Sequence, residues 1–443
     1  MGKQWFAEFA WLGGDGVERD VLIETEGEII TRVSPDAERP PGARELRGLV
    51  LPGFSNTHSH VFHRAIRGQS QTGVGDFWMW RDLMYDVANR LTPETLYDLA
   101  FATYAEMALS GITQVGEFFY VHHDADGSPY EDPNAMGHAV ARAAADAGIR
   151  MTLLDTCYLQ ADVHGAPLTG TQKRFDDRSV DAWIDRVSKL EPTPRLRVGA
   201  AIHSVRAVPR SGFAPIAAFT REHGIPLHVH LSEQPAENQA AVDAFGLTPT
   251  QLLAEAGVWG PGTTAVHATH LTDEDIQTLG STSTHISMCC TTERDLGDGI
   301  GPAKRLADAG SPIVVGSDAH MIIDLLEETR AVELDLRLIT QHRGHFSVPA
   351  LARMLTEAGS ASLGWNAGRI EAGRLADFVA VDLGSPRTAG ARGAEPLAHT
   401  LFAATGSDIT TVVTGGDVIV DDRVHLVAGD TGARLEQAIR ALR

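Results

Sequence analysis

The segment that decides the fold is LVLPGFSNTHSH, residues 49–60, in which an apolar run ends in two histidines. Strand side chains alternate between the two faces, so His58 and His60 point to the same side. Neutral imidazole is a common zinc ligand, and this pair could form half of a metal site. In a chain with 19 histidines, chance pairing explains an isolated pair of this kind about equally well.

A second segment with the same pattern is LHVHLSEQ, residues 227–234. His230 stands where the apolar run ends, and Glu233, three residues later, can reach over a ligand held there. A carboxylate beside an activated water is what general acid/base chemistry requires. His228 also faces inward but lies deeper, which favours a buried, hydrogen-bonded histidine.

Two further segments, AVHATH (265–270) and VVGSDAH (314–320), also place polar groups after apolar runs. Either His267 or His270 can polarise a substrate or bind a metal while the other packs or caps, and the pattern leaves the choice open. Asp318 is a candidate ligand or base, although such a Ser-Asp pair by itself favours a helix N-cap. Four clusters of this kind in one chain favour one shared functional site over chance placement of polar residues.

The middle of the chain alternates short apolar strands with segments of helical period, as repeated βα units do. Helices are predicted over Pro93–Leu109, with Thr92 as N-cap, and over residues 134–147, ending at Gly148. Candidate strands begin near Leu49, Ile112, Met151, Leu196, Pro226, Thr264, Thr284 and Pro312. This periodicity suits an open sheet nearly as well as a barrel. The four clusters follow the first, fifth, sixth and eighth strands and favour an α/β fold, a (β/α)8 TIM barrel over residues 49–369, with its active site at the C-terminal strand ends.

The two ends of the chain have a different pattern from the middle. Residues 1–48 and 370–443 contain short alternating segments separated by turn residues, including a Gly-Gly hairpin turn. We expect them to pair into one smaller, β-sandwich-like domain built from both termini.

The charge balance restricts the partners of the protein. Lys and Arg number 37 against 58 for Asp and Glu, which leaves a formal net charge of −21. Such a surface repels polyphosphates, so no nucleic-acid partner is expected. No apolar run is long enough to span a membrane, and no secretory signal pattern is visible at the N-terminus. With only Cys157, Cys289 and Cys290, a cytoplasmic location is expected.

Taken together, the motifs resemble the amidohydrolase superfamily, in particular its mononuclear zinc deaminase branch. The similarity rests on Pro52-Gly53-Phe54 through His60, on the three later clusters, and on residues 373–379, GRLADFV, which resemble the segment leading back into the small domain. The resemblance implies that one Zn²⁺ is held by four ligands: His58, His60, His230 and Asp318. Binuclear members carry a bridging lysine at the end of the fourth strand, where this chain reads AIHS, residues 201–204.

Longer segments are similar to the formimidoylglutamate deiminase family: residues 58–64, 77–85, 117–123, 203–208 and 291–299. This resemblance implies hydrolysis of N-formimidoyl-L-glutamate to N-formyl-L-glutamate and ammonia, a step of histidine degradation. Glu233 would move protons between water and the departing nitrogen, His267 would stabilise the intermediate by hydrogen bonding, and Asp318 would orient or deprotonate the water. The chain departs from the family at His63, commonly Gln, and at Cys290, commonly Pro.

A dicarboxylate substrate requires cationic groups, and the resemblance assigns this role to Arg81 and Arg206. Arginine presents a planar fork that binds a carboxylate through two hydrogen bonds. Arg81 is expected in a Trp-rich loop, beside Trp78, after the first strand, and Arg206 just past the fourth. Without the resemblance both would be interpreted as surface cations. Further substrate contacts are expected from Tyr120, His203 and His63, and a homodimer is expected by resemblance alone.

Two other functions stay open at this point. Another deaminase of the same branch would act on a purine, pyrimidine or triazine ring, and a noncatalytic metal-binding barrel would keep the fold without the chemistry. A noncatalytic relative is expected to lose at least one of Glu233, His267 and Asp318, and all three are present. A hydride-transfer enzyme is disfavoured because no Gly-x-Gly-x-x-Gly motif follows the first strand.

Overall fold

The computed structural model describes residues 2–69, 71 and 77–443. In chain order its strands are β1 (Lys3–Trp11), β2 (Val17–Glu26), β3 (Ile29–Ser34), β4 (Arg44–Pro52), β5 (Phe54–Ser59), β6 (Ile112–Phe119), β7 (Arg150–Cys157), β8 (Leu196–Ile202), β9 (Leu227–Leu231), β10 (Thr263–His267), β11 (His285–Met288), β12 (Ile313–Val315), β13 (Phe378–Val381), β14 (Ile409–Thr414), β15 (Asp417–Asp421) and β16 (Val424–His425).

The α-helices are α1 (Phe77–Arg90), α2 (Pro93–Leu109), α3 (Ala135–Asp146), α4 (Val180–Val187), α5 (Arg210–His223), α6 (Pro235–Phe245), α7 (Pro249–Glu255), α8 (Asp273–Ser281), α9 (Cys290–Leu296), α10 (Ala303–Ala309), α11 (Leu325–Thr340), α12 (Val348–Met354), α13 (Glu357–Ser362), α14 (Pro396–Ala403) and α15 (Thr431–Ala441). Short 3-10 helices span Val61–Ile66, Gly170–Phe175, Ala391–Gly393 and Gly406–Asp408. Within the described residues, no helix is both long and apolar enough to cross a membrane.

Strands β5 to β12 form a parallel eight-stranded sheet in sequential order. A parallel bridge between Ser59 and Asp318 joins the last strand end to the first. There Asp318 donates its backbone N–H to His58 O at 3.0 Å, and His60 donates to Asp318 O at 3.2 Å. The predicted TIM barrel is confirmed, and three residues expected at the site, His58, His60 and Asp318, help to close it.

Seven of the eight barrel strands begin within one residue of their predicted positions, but the first does not. Residues 44–52 form β4, which pairs with β1 and β13 outside the barrel. The first barrel strand, β5, begins only at Phe54, after Gly53. A Cβ at Gly53 would lie 2.2 Å from Thr113 Oγ1, so the chain requires glycine where it passes from one sheet to the other.

The second sheet joins both termini, as predicted. Its order is β16-β15-β14-β13-β4-β1-β2-β3, with β13 antiparallel to β4 and β1 parallel to it. Trp5 and Phe378, one from each end of the chain, meet edge to face at 5.4 Å in its core. The predicted boundary between residues 48 and 49 falls inside β4, and the division into 1–48 plus 370–443 and 49–369 stays a prediction.

A buried ion pair connects the terminal sheet to the barrel. Arg150, at the start of β7, donates from Nε to Asp377 Oδ2 at 2.9 Å, and both side chains are fully buried. Its Nη2 also lies 3.2 Å from Glu28 Oε2. This contact is at the N-terminal end of the barrel, the end opposite the predicted site.

The predicted helices also appear. Helix α2 has the predicted bounds, and Thr92 accepts a hydrogen bond from the backbone of Thr95 as its N-cap. One local prediction was wrong: Arg81 lies in α1, not in a loop. Buried Trp80 and Met84, four residues apart, give α1 an inward face, and Arg174 caps its end by donating to the carbonyls of Ala88 and Leu91. The side chain of Trp78 lies outside the described part.

Candidate active site

A cavity opens at the C-terminal ends of the barrel strands. This is the end at which TIM-barrel enzymes carry their active sites. Ten of the eleven residues predicted to act at the site line the cavity: His60, His63, Arg81, Tyr120, His203, Arg206, His230, Glu233, His267 and Asp318. The eleventh, His58, is fully buried behind it and contacts His230 and Asp318.

The four predicted metal ligands converge on one point. His230 Nε2 lies 3.1 Å from His58 Nε2 and 3.3 Å from His60 Nε2. Asp318 Oδ1 lies 3.4 Å from the Nε2 atoms of both His58 and His60. Atoms held about 2.1 Å from a tetrahedral ion are roughly 3.4 Å apart, so these separations fit one bound cation.

In both His60 and His230, the ring nitrogen that points away from the cluster makes a hydrogen bond. This bond fixes the tautomer that metal binding requires. His60 Nδ1 donates to Phe118 O at 2.9 Å, and His230 Nδ1 donates to His203 O at 2.9 Å. Their Nε2 atoms therefore direct lone pairs toward each other, an arrangement that only a cation between them stabilises. Burial, with the neighbouring His58, lowers the pKa of His60 to about 3, which keeps it neutral.

Three site residues leave the strand ends with a left-handed backbone. Ser232 has φ +50°, His267 +67° and Asp318 +45°. Such conformations are costly for residues other than glycine, and they concentrate at functional sites. Although burial opposes it, contacts with His58, His267 and His60 hold the pKa of Asp318 far below its usual range, so this ligand is a carboxylate.

Glu233 and His267 stand beside the ligands. His267 Nε2 lies 3.9 Å from Glu233 Oε1 and 3.8 Å from Asp318 Oδ2. Burial raises the pKa of Glu233, although the charges of His267 and Arg206 act against the rise. Burial would lower the pKa of His267, but Glu233, Glu293 and Asp318 raise it to about 10.

Glu293 was not predicted to act at the site. Its Oε1 accepts a hydrogen bond from the backbone of Cys289 at 2.9 Å and lies 3.4 Å from His267 Nδ1. The second ring nitrogen of His267 thus has a fixed anionic partner, and Nε2 is left to face the cavity. The only signal in the sequence was the position of Glu293 inside residues 291–299, one of the segments that carried the resemblance.

The loop after His60 is held by a buried acid, Glu117. It accepts hydrogen bonds from Ser59 Oγ at 2.6 Å, from the backbone of Val61 at 2.7 Å and from the Tyr104 hydroxyl at 3.1 Å. Burial raises the pKa of Glu117 to about 7, against the effect of these donors. These hydrogen bonds hold Ser59 and Val61, the two chain neighbours of His60, in place.

The two predicted arginines approach the cavity from different elements. Arg206, past β8, donates from Nε to Glu237 Oε2 at 3.1 Å, and Glu237 Oε1 accepts from the backbone of Ser232 at 3.2 Å. Glu237 raises the pKa of Arg206 although burial opposes the charge. The guanidinium of Arg81 lies 5.4 Å from the ring centre of Tyr85. Both Arg81 and Arg206 act to lower the pKa of Tyr85 and of Tyr158, so the end of the cavity beside these tyrosines is cationic.

The aromatic residues predicted at the site line the wall between the two ends. His63 Nε2 lies 3.2 Å from the Tyr120 hydroxyl, and its ring is 4.7 Å from that of His60. The His203 ring contacts those of Tyr120, at 5.3 Å, and Tyr158, at 4.5 Å. Tyr158 was missed, because nothing local in the sequence marks it.

Two further histidines of these segments, His228 and His270, lie away from the ligands. His228 is fully buried, with Nε2 3.4 Å from Ser362 O, as predicted. His270 Nε2 donates to Asp298 O at 2.7 Å, so it packs and caps while His267 faces the cavity. Cys290, one of the two departures from the resemblance, starts α9 and is not among the residues that line the cavity.

Comparison with known proteins agrees with this geometry. Residues 49–419 match the amidohydrolase family. The chain is 34% identical to the formimidoylglutamate deiminase of Pseudomonas aeruginosa over 434 residues, 95% of each chain. It is 28% identical to the 5-methylthioadenosine/S-adenosylhomocysteine deaminase of Natronomonas pharaonis over 429 residues, 95% of this chain and 92% of that protein. An amidohydrolase from Brucella melitensis has the same fold, with a TM-score of 0.91, 27% identity and 99% of both chains covered. The chain belongs to the amidohydrolase family and is a hydrolase that acts on carbon–nitrogen bonds.

Proposed function

We propose that this enzyme hydrolyses N-formimidoyl-L-glutamate to N-formyl-L-glutamate and ammonia. The observation that carries the proposal is that one cavity has a metal-ligand cluster at one end and Arg81 and Arg206 at the other. A small substrate with a reactive carbon–nitrogen bond and two carboxylates fits both ends. The 34% identity to a formimidoylglutamate deiminase supports the same substrate.

We propose zinc as the metal. Three imidazoles and one carboxylate are donors that zinc accepts, and amidohydrolases are metal-dependent. A bound zinc ion lowers the pKa of a water ligand to near 7, so that a nucleophile is available at neutral pH. Metal analysis of the purified protein, with activity restored to chelator-treated enzyme by zinc alone, would test this identity.

The residues beside the ligands divide the proton transfers between them. Glu233 takes a proton from the attacking water and delivers it to the departing nitrogen, since its carboxylate lines the cavity 3.9 Å from His267 Nε2, beside the ligands. His267 donates from Nε2 to the oxygen that attacks the formimidoyl carbon and stabilises the tetrahedral intermediate. Asp318 accepts a hydrogen bond from the water and orients it. As the intermediate collapses, Glu233 carries the second proton of the water from the hydroxyl oxygen to the same nitrogen. The carbon–nitrogen bond then breaks, the formyl C=O forms and ammonia leaves.

The arginines supply the recognition. Arg206 has one nitrogen bound to Glu237, which orients its fork and leaves the other donors for a substrate carboxylate. Arg81 is placed to bind the second carboxylate. His63, Tyr120 and His203 line the stretch between the cationic end and the ligands, where the formimidoyl group would lie.

Nucleoside deaminases are the competing function, because one such relative is 28% identical over nearly the whole chain. 5-Methylthioadenosine has no carboxylate and S-adenosylhomocysteine has one, whereas the two arginines in the cavity match the two carboxylates of N-formimidoyl-L-glutamate. The noncatalytic alternative is set aside by the membership of a hydrolase family. By resemblance alone we keep three further proposals: a role in histidine degradation, a cytoplasmic location and a homodimer.

One assay separates the candidates. Ammonia release by zinc-loaded protein would be measured with N-formimidoyl-L-glutamate, S-adenosylhomocysteine, 5-methylthioadenosine, adenosine, cytosine and a triazine. We expect turnover of the first substrate and no release above background from the others. Turnover of a nucleoside or base in its place would overturn the proposed substrate and leave the metal-dependent hydrolase intact.

A further inference from the structure

We propose that Tyr158 is a third recognition group of the cationic end, where its hydroxyl donates a hydrogen bond to a carboxylate of a dicarboxylate substrate. This inference rests on the proposed function. Tyr158 follows β7 and lines the cavity together with Arg81, Arg206 and Gln172. It belongs to a part of the wall that the sequence patterns did not mark.

The hydrogen bond made by the Tyr158 hydroxyl leaves its proton available. Gln172 Nε2 donates to this oxygen at 3.4 Å and so uses one of its lone pairs. A phenol that accepts one hydrogen bond can still donate one, and a carboxylate is an acceptor only. Burial raises the pKa of Tyr158, which keeps the hydroxyl protonated.

The hydroxyl is close enough to both arginines to feel their charge. Arg206 and Arg81 both act to lower the pKa of Tyr158, against the effect of burial. Three donors on one end wall thus come from three different elements: α1, the segment after β7 and the segment after β8. A carboxylate has four lone-pair sites, so an arginine fork and a phenol can bind it together.

The main chain of Tyr158 is held rigidly. Its N–H donates to Asp177 Oδ2 at 3.0 Å, and its carbonyl accepts from the Asp177 N–H at 3.1 Å. Asp177 in turn is bound by Arg186 Nη2 at 2.6 Å. The Tyr158 ring packs against His203 at 4.5 Å and Phe175 at 5.6 Å. A side chain fixed in this way needs no reordering when the ligand binds.

The geometry also indicates what Tyr158 does not do. Its ring contacts His203 at 4.5 Å, and it is the His203 ring that contacts the predicted ligand His230, at 5.1 Å. Its effect should therefore appear in substrate binding and not in the chemical step. A neutral donor also adds affinity for a carboxylate without adding a further cation to an end wall that already holds two.

The test is the Tyr158→Phe variant of the zinc-loaded enzyme, which removes one hydroxyl and keeps the ring against His203. We expect KM for N-formimidoyl-L-glutamate to rise by roughly tenfold to a hundredfold, as for loss of a hydrogen bond to a charged group, with kcat within about threefold of wild type. The matched control is Tyr97→Phe, which removes an exposed hydroxyl bonded to Asp146 at 2.7 Å. This control should leave both constants unchanged.

A second measurement keeps binding apart from turnover. The inhibition constant of the product N-formyl-L-glutamate, which retains both carboxylates, should rise in Tyr158→Phe by the same factor as KM. An unchanged KM and inhibition constant, or a loss confined to kcat, would overturn the role of Tyr158. If wild-type enzyme neither turns over the substrate nor binds the product, the proposed function is overturned and this inference with it.

Discussion

Replacement of Arg206 by Met should weaken substrate binding and destabilise the fold by separate mechanisms, and a second substitution can separate the two. Methionine keeps the aliphatic length but removes the charge. If the fork gives two hydrogen bonds to a carboxylate, each worth about 1.5–3 kcal/mol, the loss is about 3–6 kcal/mol. We therefore expect KM for N-formimidoyl-L-glutamate to rise by roughly a hundred to ten thousand times, with a smaller effect on kcat.

The same change leaves Glu237 without its cation. The Glu237 side chain is 3% exposed, and removing one partner of a buried ion pair costs about 3–5 kcal/mol. Because the Arg206 side chain is 35% exposed, water already screens part of this interaction, and we expect a loss of about 2 kcal/mol. Denaturant unfolding of Arg206→Met should show this loss.

The double variant Arg206→Met/Glu237→Gln provides the decisive comparison. Glutamine keeps an oxygen for the Ser232 backbone but no buried charge, so stability should return most of the way to wild type while KM stays high. Steady-state kinetics and unfolding curves on the three proteins measure both quantities. A wild-type KM in Arg206→Met, or a KM that recovers together with stability in the double variant, would refute the carboxylate clamp.

Three further predictions concern the chemistry and the fold. Glu233→Gln should retain stoichiometric metal, measured by elemental analysis, and lose about 10²–10⁴-fold in kcat, because it removes the proton carrier; substantial retained activity would exclude that role. Arg150→Met should reduce the free energy of unfolding by about 3–5 kcal/mol by stranding the buried carboxylate of Asp377, whereas kcat of the folded enzyme should not change. Arg387 lowers the pKa of Asp408 from 3.8 to about 2 despite burial, so its stabilisation is complete above about pH 4 and lost as the pH falls through 2; Arg387→Met should flatten this acid limb of the stability curve.

The barrel was predictable because its signals are local. Alternation over two residues placed His58 and His60 on one face, and the apolar runs ending at His230 and Asp318 marked two more strand ends. The start of the first barrel strand was not predictable, because the apolar residues from Leu49 onward were interpreted as the beginning of that strand. Only pairing with β1 and β13, strands far away along the chain, assigns β4 to the other sheet.

The part of the cavity wall formed by Tyr158 and Gln172 could not be predicted from the sequence, for a related reason. Tyr158 lies directly after β7 and Gln172 lies in the 3-10 helix Gly170–Phe175, and only the fold brings them to the cavity beside Arg81 and Arg206. Arg81 itself was placed in a loop because the aromatic residues around it obscured the i, i+4 spacing of α1. Contacts of this kind depend on which strands neighbour each other, and no window of sequence contains that information.

The protein has a net charge of −21, and its surface would repel the proposed dicarboxylate substrate only over long distances. At physiological ionic strength the Debye length is about 8 Å, so surface carboxylates are largely screened from the cavity. Inside the cavity, Glu237 neutralises part of the charge of Arg206, which weakens the attraction for a carboxylate. The same hydrogen bond fixes the orientation of the Arg206 guanidinium. If orientation is what the site requires, Glu237→Ala should weaken binding of N-formyl-L-glutamate although it makes the cavity more cationic. Tighter binding in that variant would mean that net charge, and not geometry, governs recognition at this end.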